Sequence, residues 1–160
     1  MSTSDAYFMR LALAEARRAA EQGDVPVGAV VVRAEHVVAA DHNRKEAAQD
    51  PTAHAEMLAI RSAAEELGSW RLEDSTLYVT MEPCPMCAGA LWSARVQRLV
   101  YAAPDERAGA AGSLYNVVAD SRLNHRLEVC GGVLAEEAQA MLQAFFRDLR
   151  AKSRAGKQQG

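Results

Sequence analysis

Residues 75–103, STLYVTMEPCPMCAGALWSARVQRLVYAA, decide the fold. STLYVT at 75–80 is rich in β-branched and aromatic residues and reads as a strand. EPCPMCAGALWSA follows, its prolines suited to a first helical turn and its later residues to a helix. RLVYAA at 98–103 is a strand again. Strands alternating with helices in this way belong to a parallel sheet covered on both faces.

On the N-terminal side, residues 6–21 place Phe8, Leu11, Ala12, Ala16, Ala19 and Ala20 at helical spacing, and Gly23 stops the helix. VGAVVV at 27–32 and HVVAA at 36–40 read as strands of a hairpin, joined through Arg33, Ala34 and Glu35. A polar loop at 41–49 then leads to Asp50, an expected N-cap. Pro51 would open a helix that runs to about Leu67 and ends at Gly68. On the C-terminal side the pattern allows a helix from Leu114 to about Arg122 and a short strand in RLEVCGGV. A further helix is expected over 135–150. The expected fold is α/β: three α/β/α layers around a mixed, mostly parallel five-stranded sheet. Residues 1–150 form one domain, and 151–160 a basic, flexible tail.

A chain of 160 residues suits a single domain. Hydrophobic residues at 49% and charged residues at 24% exclude a disordered chain. The net charge of −3 gives no overall attraction for nucleic acid, so an RNA partner would need a local patch. Arg147, Arg150, Lys152, Arg154 and Lys157 could form one, though composition alone favours a solvated helix end whose cations suit the macrodipole. MSTSDAYFMR lacks the features of a signal peptide, and no apolar run reaches the ~20 residues of a membrane span. A cytoplasmic protein with no membrane partner is expected. Three cysteines, Cys84, Cys87 and Cys130, make a disulfide framework improbable in such a chain. The close pair points to metal or redox chemistry.

Cys84 and Cys87 share one face at a helix start, where the dipole favours thiolates. In open sheets of this class, ligands gather where strands end and helices begin. PTAHAEM at 51–57 falls on the same edge as EPCPMC, which brings His54 to the two thiols. Two thiolates and an imidazole suit zinc. A thioredoxin-like redox pair needs no histidine, and Pro83 and Pro85 flank Cys84. A closed structural site needs a fourth ligand. Cys130 reads better as a buried apolar thiol, and His36, His42 and His125 lack ligand spacing. Three ligands and one open position describe a catalytic ion. Two thiolates neutralise its charge, so a neighbouring base is valuable, and Glu56 supplies one.

His54-Ala55-Glu56 followed by Pro83-Cys84-Pro85-Met86-Cys87 resembles the H-x-E…P-C-x-x-C signature of the cytidine deaminase superfamily of zinc-dependent nucleobase deaminases. DVPVGAVVV, DPTAHAEM, LYVTMEPCPMCAGAL, GAAGSLYNV, NHRLEV and FFRDLR extend the resemblance over roughly residues 5–150 to the bacterial tRNA-specific adenosine deaminases. That resemblance implies hydrolysis of adenosine to inosine at the wobble position of a tRNA anticodon stem-loop, usually of an arginine tRNA, by a homodimer with one Zn2+ per subunit. It implies His54, Cys84 and Cys87 as zinc ligands and Glu56 as proton shuttle. Asn43 resembles the residue that hydrogen-bonds the target nucleotide, Val25 and Pro26 resemble pocket walls, and the Ala55 N–H a donor to the purine edge. Asp105 resembles an aspartate near the nucleotide preceding the target, where a 2′-OH could separate RNA from DNA. Phe145, Phe146, Arg147 and Arg150 resemble the RNA-facing end of the last helix. Asp148, Leu149 and Pro104 depart from the usual pattern. The alternatives are a free-base guanine or cytosine deaminase and a noncatalytic zinc-stabilised RNA-binding subunit. Glu56 weighs against the latter.

Overall fold

A computed structural model describes residues 2–159; Met1 and Gly160, the last residue of the expected tail, lie outside them. The chain order is α1 (Thr3–Glu21), β1 (Gly28–Arg33), β2 (His36–His42), α2 (Lys45–Ala48), α3 (Ala55–Leu67), β3 (Ser75–Met81), α4 (Pro85–Ser93), β4 (Arg98–Ala103), β5 (Glu128–Cys130) and α5 (Ala135–Gln158). The five strands lie in the order β2-β1-β3-β4-β5. β1 runs antiparallel to both β2 and β3, while β3–β4 and β4–β5 are parallel. Four strands therefore point one way and β1 alone is reversed. The C-terminal ends of β2, β3 and β4 open onto one edge of the sheet.

Alternation along the strands assigns the two layers. Ala29, Val31, Leu77, Val79 and Leu99 pack with Ala55, Ala59 and Ala63 of α3 and Ala88 and Leu91 of α4. Val30, Val32, Tyr78, Val100 and Ala102 pack on the other face with Phe8, Met9, Ala12 and Leu13 of α1 and Leu142 of α5. β1 is buried from Gly28 to Val32, as expected for a strand covered on both sides. α1 crosses it so closely that a Cβ on Gly28 would lie 2.0 Å from the Ala12 carbonyl oxygen. The hairpin turns at Ala34 and Glu35, both at positive φ, the conformation that matches strand twist in a two-residue loop.

α1 is tied to the sheet by charge. Asp5, 1% exposed, accepts from Arg98 Nη1 at 2.7 Å and Nη2 at 2.9 Å, and from Tyr78 Oη at 2.8 Å. The Arg98 guanidinium holds the Asp5 carboxyl well below the usual carboxylate range.

Three expected boundaries are corrected. Asp50 and Pro51 do not open α3, which starts at Ala55 with His54 as N-cap. The Asp50 side chain instead takes the N–H and hydroxyl of Thr52, at 2.8 and 2.7 Å, and closes a turn before the helix. No helix forms over 114–122. There the Leu114 and Tyr115 N–H groups return to the Gly109 carbonyl and Val117 N–H to Ala110, making a folded-back loop with a bridge between Ala111 and Asn116. α5 continues beyond Arg150 to Gln158 as an exposed helix.

Candidate active site

Because β2, β3 and β4 end on one edge, Asn43, the segment Glu82–Cys84 and the segment Pro104–Asp105 meet there, together with the start of α3. His54 is the N-cap of α3 and Cys84 the N-cap of α4, with Pro85 at the first helical position. His54 Nδ1 lies 3.7 Å from Cys84 Sγ and 3.5 Å from Cys87 Sγ. The three ligand atoms lie within 4.8 Å of one another.

The thiols divide their proton unequally. Cys84 is held down to about 4, chiefly by a hydrogen bond from Cys87 and then by His54. Cys87 is pushed far up by the Cys84 sulfur and by burial. His54 is raised, first by its contact with Cys84.

Glu56, in the first turn of α3, is 4% exposed, and burial raises its carboxyl above the usual range. It lines a cavity of about 200 Å3 with Val25, Asn43, His54, Cys84 and Asp105. Asn43 Oδ1 accepts the Ala55 N–H at 2.8 Å. That bond satisfies an orphan donor of α3 and aligns the helix start, leaving Asn43 Nδ2 as the group able to donate to a ligand. The Ala55 N–H, expected to face a purine, is thus already engaged. Pro26 is buried and does not line the cavity; Val25 and Val27 on either side of it do.

A second cleft of about 580 Å3 adjoins the first and shares Met81 and Asp105 with it. Its far wall is α5, through Leu142, Phe146 and Arg150. Phe145 faces another way, into a groove with Ala20 and Gly23 beside α1, and Arg147 is exposed and lines neither space. His42 is buried against Glu15, with Nδ1 to Oε2 2.7 Å, and His125 Nε2 meets the Val96 carbonyl at 2.8 Å. Cys130 packs against the α1–α5 core. Among the described residues the metal-ligating cluster holds His54, Cys84 and Cys87 alone.

Two charged residues of the cavity carry no role in the sequence reading. Lys45 at the start of α2 brings a cation to the rim. Glu82, 2% exposed, sits between the β3 run and the Cys84 turn. A carboxylate closing a buried strand needs partners, and that was the available signal.

A model of the MafB19-like deaminases matches residues 3–150, which defines the class of protein as a deaminase. A tRNA-specific adenosine deaminase of Bacillus subtilis is 50% identical over 155 residues, covering 97% of this chain and 96% of the relative. Among solved structures, one described as a study of A-to-I editing by tRNA:A34 deaminases at the wobble position is 44% identical. It aligns with a TM-score of 0.82 and covers 85% of this chain and 99% of that one. A guanine deaminase from Bacillus subtilis is 39% identical, with a TM-score of 0.61, over 70% of this chain and 71% of its own. The chain belongs to the family of tRNA-specific adenosine deaminases, with the cytidine deaminase-like sheet.

Proposed function

We infer that this protein hydrolyses adenosine to inosine within tRNA, at the wobble position of an anticodon stem-loop, with an arginine tRNA as substrate. Family membership supports the adenosine chemistry. One observation favours a polynucleotide over a free base: Asp105 and Met81 line both the catalytic cavity and the neighbouring cleft that bears Phe146 and Arg150. A target base in the first space leaves room for flanking nucleotides in the second, where an aromatic face and a cation suit stacking and phosphate.

The donor set fits zinc. Zn–S near 2.3 Å and Zn–N near 2.0–2.1 Å at tetrahedral angles require N···S separations of about 3.6 Å, and His54 Nδ1 lies 3.5 and 3.7 Å from the two sulfurs. His54, Cys84 and Cys87 would hold one Zn2+, which when bound supplies the Lewis acidity that makes water a nucleophile near neutral pH.

The rest falls to the chain's own groups. Asn43 Nδ2 donates to the target nucleotide and fixes its orientation, with Val25 against it. Addition of water at C6 leaves electron density on N1 of the purine. The Glu56 carboxylate accepts the water proton and delivers it to N1, then shuttles a proton to the 6-amino group, which departs as ammonia. Burial, which raises the Glu56 carboxyl, suits a group that must both take and give a proton near neutral pH.

The alternative reading, a free-base guanine deaminase, draws on the 39% identical guanine deaminase. A panel of anticodon stem-loop, free adenosine, guanine and cytosine, with inosine and ammonia as readouts, separates the two. Inosine in the stem-loop is expected; ammonia from guanine alone would replace this reading with the alternative. Among the described residues no helix is long and apolar enough to cross a membrane. We further propose a cytoplasmic homodimer, for which light scattering in solution is the test.

A further inference from the structure

The Glu82 carboxylate is the hub of the loop that follows β4. It accepts the N–H of Asp105 at 3.1 Å, of Ala111 at 3.0 Å and of Ser113 at 3.1 Å, and the Ser113 hydroxyl as well. Four donors from three points of one loop converge on a single buried side chain that also lines the catalytic cavity. The loop fits around it without slack. A Cβ on Gly109 would lie 2.4 Å from the Glu82 carboxyl carbon and 2.4 Å from the Asp105 carbonyl oxygen.

Asp105 is itself placed by this arrangement. Its N–H is held by Glu82, and its Oδ1 accepts the N–H of Arg107 at 3.0 Å and of Ala108 at 3.3 Å. The side chain therefore stands at the passage between the two clefts with one oxygen committed to its own turn. A carboxylate fixed at that passage can accept a hydrogen bond from a ribose 2′-OH of the nucleotide beside the target, and a 2′-deoxy sugar offers no donor. A loop free to shift would carry Asp105 out of reach of that hydroxyl, while the loop's other tie to the metal-ligating segment, the Ala110 N–H to the Pro83 carbonyl at 2.8 Å, does not involve the Glu82 carboxylate.

We propose that Glu82 is a positioning residue for substrate specificity, holding the 105–113 loop so that Asp105 discriminates ribose from deoxyribose at the nucleotide preceding the target. The inference rests on the reading of the substrate as a tRNA anticodon and on the place beside the preceding nucleotide that the family resemblance gives Asp105; what the geometry adds is Glu82. Aspartate in place of Glu82 is one methylene too short to reach all four donors. Glutamine keeps the length but replaces an acceptor with a donor facing backbone N–H groups.

The test uses the metal-loaded full chain and two substrates: an all-ribose anticodon stem-loop, and the same stem-loop with a single 2′-deoxy sugar before the wobble adenosine. The readout is the ratio of their kcat/KM values. Glu82→Gln should lower that ratio about tenfold, as misplacing one charge-assisted hydrogen bond would, with any general loss of kcat shared by the two substrates and so absent from the ratio. Asp105→Asn should lower it similarly, and the double variant no further, since both changes remove one contact. Should Glu82→Gln fail to fold, Ser113→Ala removes the hydroxyl donor alone and should shift the ratio the same way by a smaller factor. An unchanged ratio in whichever variant folds overturns the proposal, as does a double variant whose losses multiply. A wild type that leaves the all-ribose stem-loop unreacted overturns the underlying substrate reading and this inference together.

Discussion

Asn43 Oδ1 caps α3 from outside the helix, accepting the Ala55 N–H at 2.8 Å across twelve residues of sequence. One side chain thereby fixes the end of β2 to the helix that presents His54 and Glu56. The same amide has a second end, Nδ2, available for substrate. Asn43→Asp should separate the two duties: it keeps an acceptor for Ala55 and lacks the donor. We expect Asn43→Ala to lose about 1–2 kcal/mol of stability as well as activity. Asn43→Asp should retain stability while kcat/KM falls about 10- to 100-fold. Urea unfolding and the stem-loop assay on both variants check this.

The Asp5–Arg98 pair should be a principal tie between α1 and the sheet. Asp5 is buried but Arg98 is half-buried and can be solvated, so Asp5→Asn, which weakens the hydrogen bonds to Arg98 and Tyr78, should cost about 1–3 kcal/mol. The folded carboxyl is depressed, so its contribution is fully present above the ordinary carboxylate range, near pH 4. It is lost as pH falls through the folded value. The stability gap between wild type and Asp5→Asn should be constant at neutral pH and narrow below about pH 4. Urea unfolding at a series of pH values measures it.

Phe145 and Phe146 should behave differently. Phe146 lines the cleft that shares Met81 and Asp105 with the site cavity, and Phe145 the groove beside α1. Phe146→Ala should raise KM for the stem-loop about tenfold through lost stacking, with little loss of stability. Phe145→Ala should lower stability and leave KM near wild type. Steady-state kinetics beside thermal melts separate the two.

The metal site predicts a stoichiometry and a reversal. Elemental analysis should find one zinc per chain. Dialysis against a chelator should abolish deamination, and zinc should restore it. Cys84→Ser and Cys87→Ser should each lose bound metal.

The strand–helix–strand unit at 75–103 was legible because its signals are local: β-branched residues, prolines at a helix start and a CxxC on one turn. The grouping of His54 with the cysteines was legible from the same edge rule. The start of α3 was not. Asp50-Pro51 carries a local cap signal, yet Asp50 is spent on Thr52, and the cap that acts comes from Asn43 on another element. The 114–122 segment was misread for a similar reason. Its apolar residues allow a helix, but Glu82, some thirty residues earlier, draws Ala111 and Ser113 into a loop. Both errors are long-range polar contacts overriding local propensity. The two faces of α5 likewise needed the positions of α1 and of the Asp105 loop, which helical spacing alone does not contain.

We propose that Glu56 moves the proton in an adenosine hydrolysis whose metal is held by His54, Cys84 and Cys87. The most direct measurement is inosine formation in an anticodon stem-loop by wild type and Glu56→Ala, with zinc content determined on the same samples. The account predicts inosine from wild type, and from Glu56→Ala a full zinc complement with the rate reduced by about 10²–10⁴-fold. A Glu56→Ala protein that keeps its zinc and deaminates at the wild-type rate would contradict it.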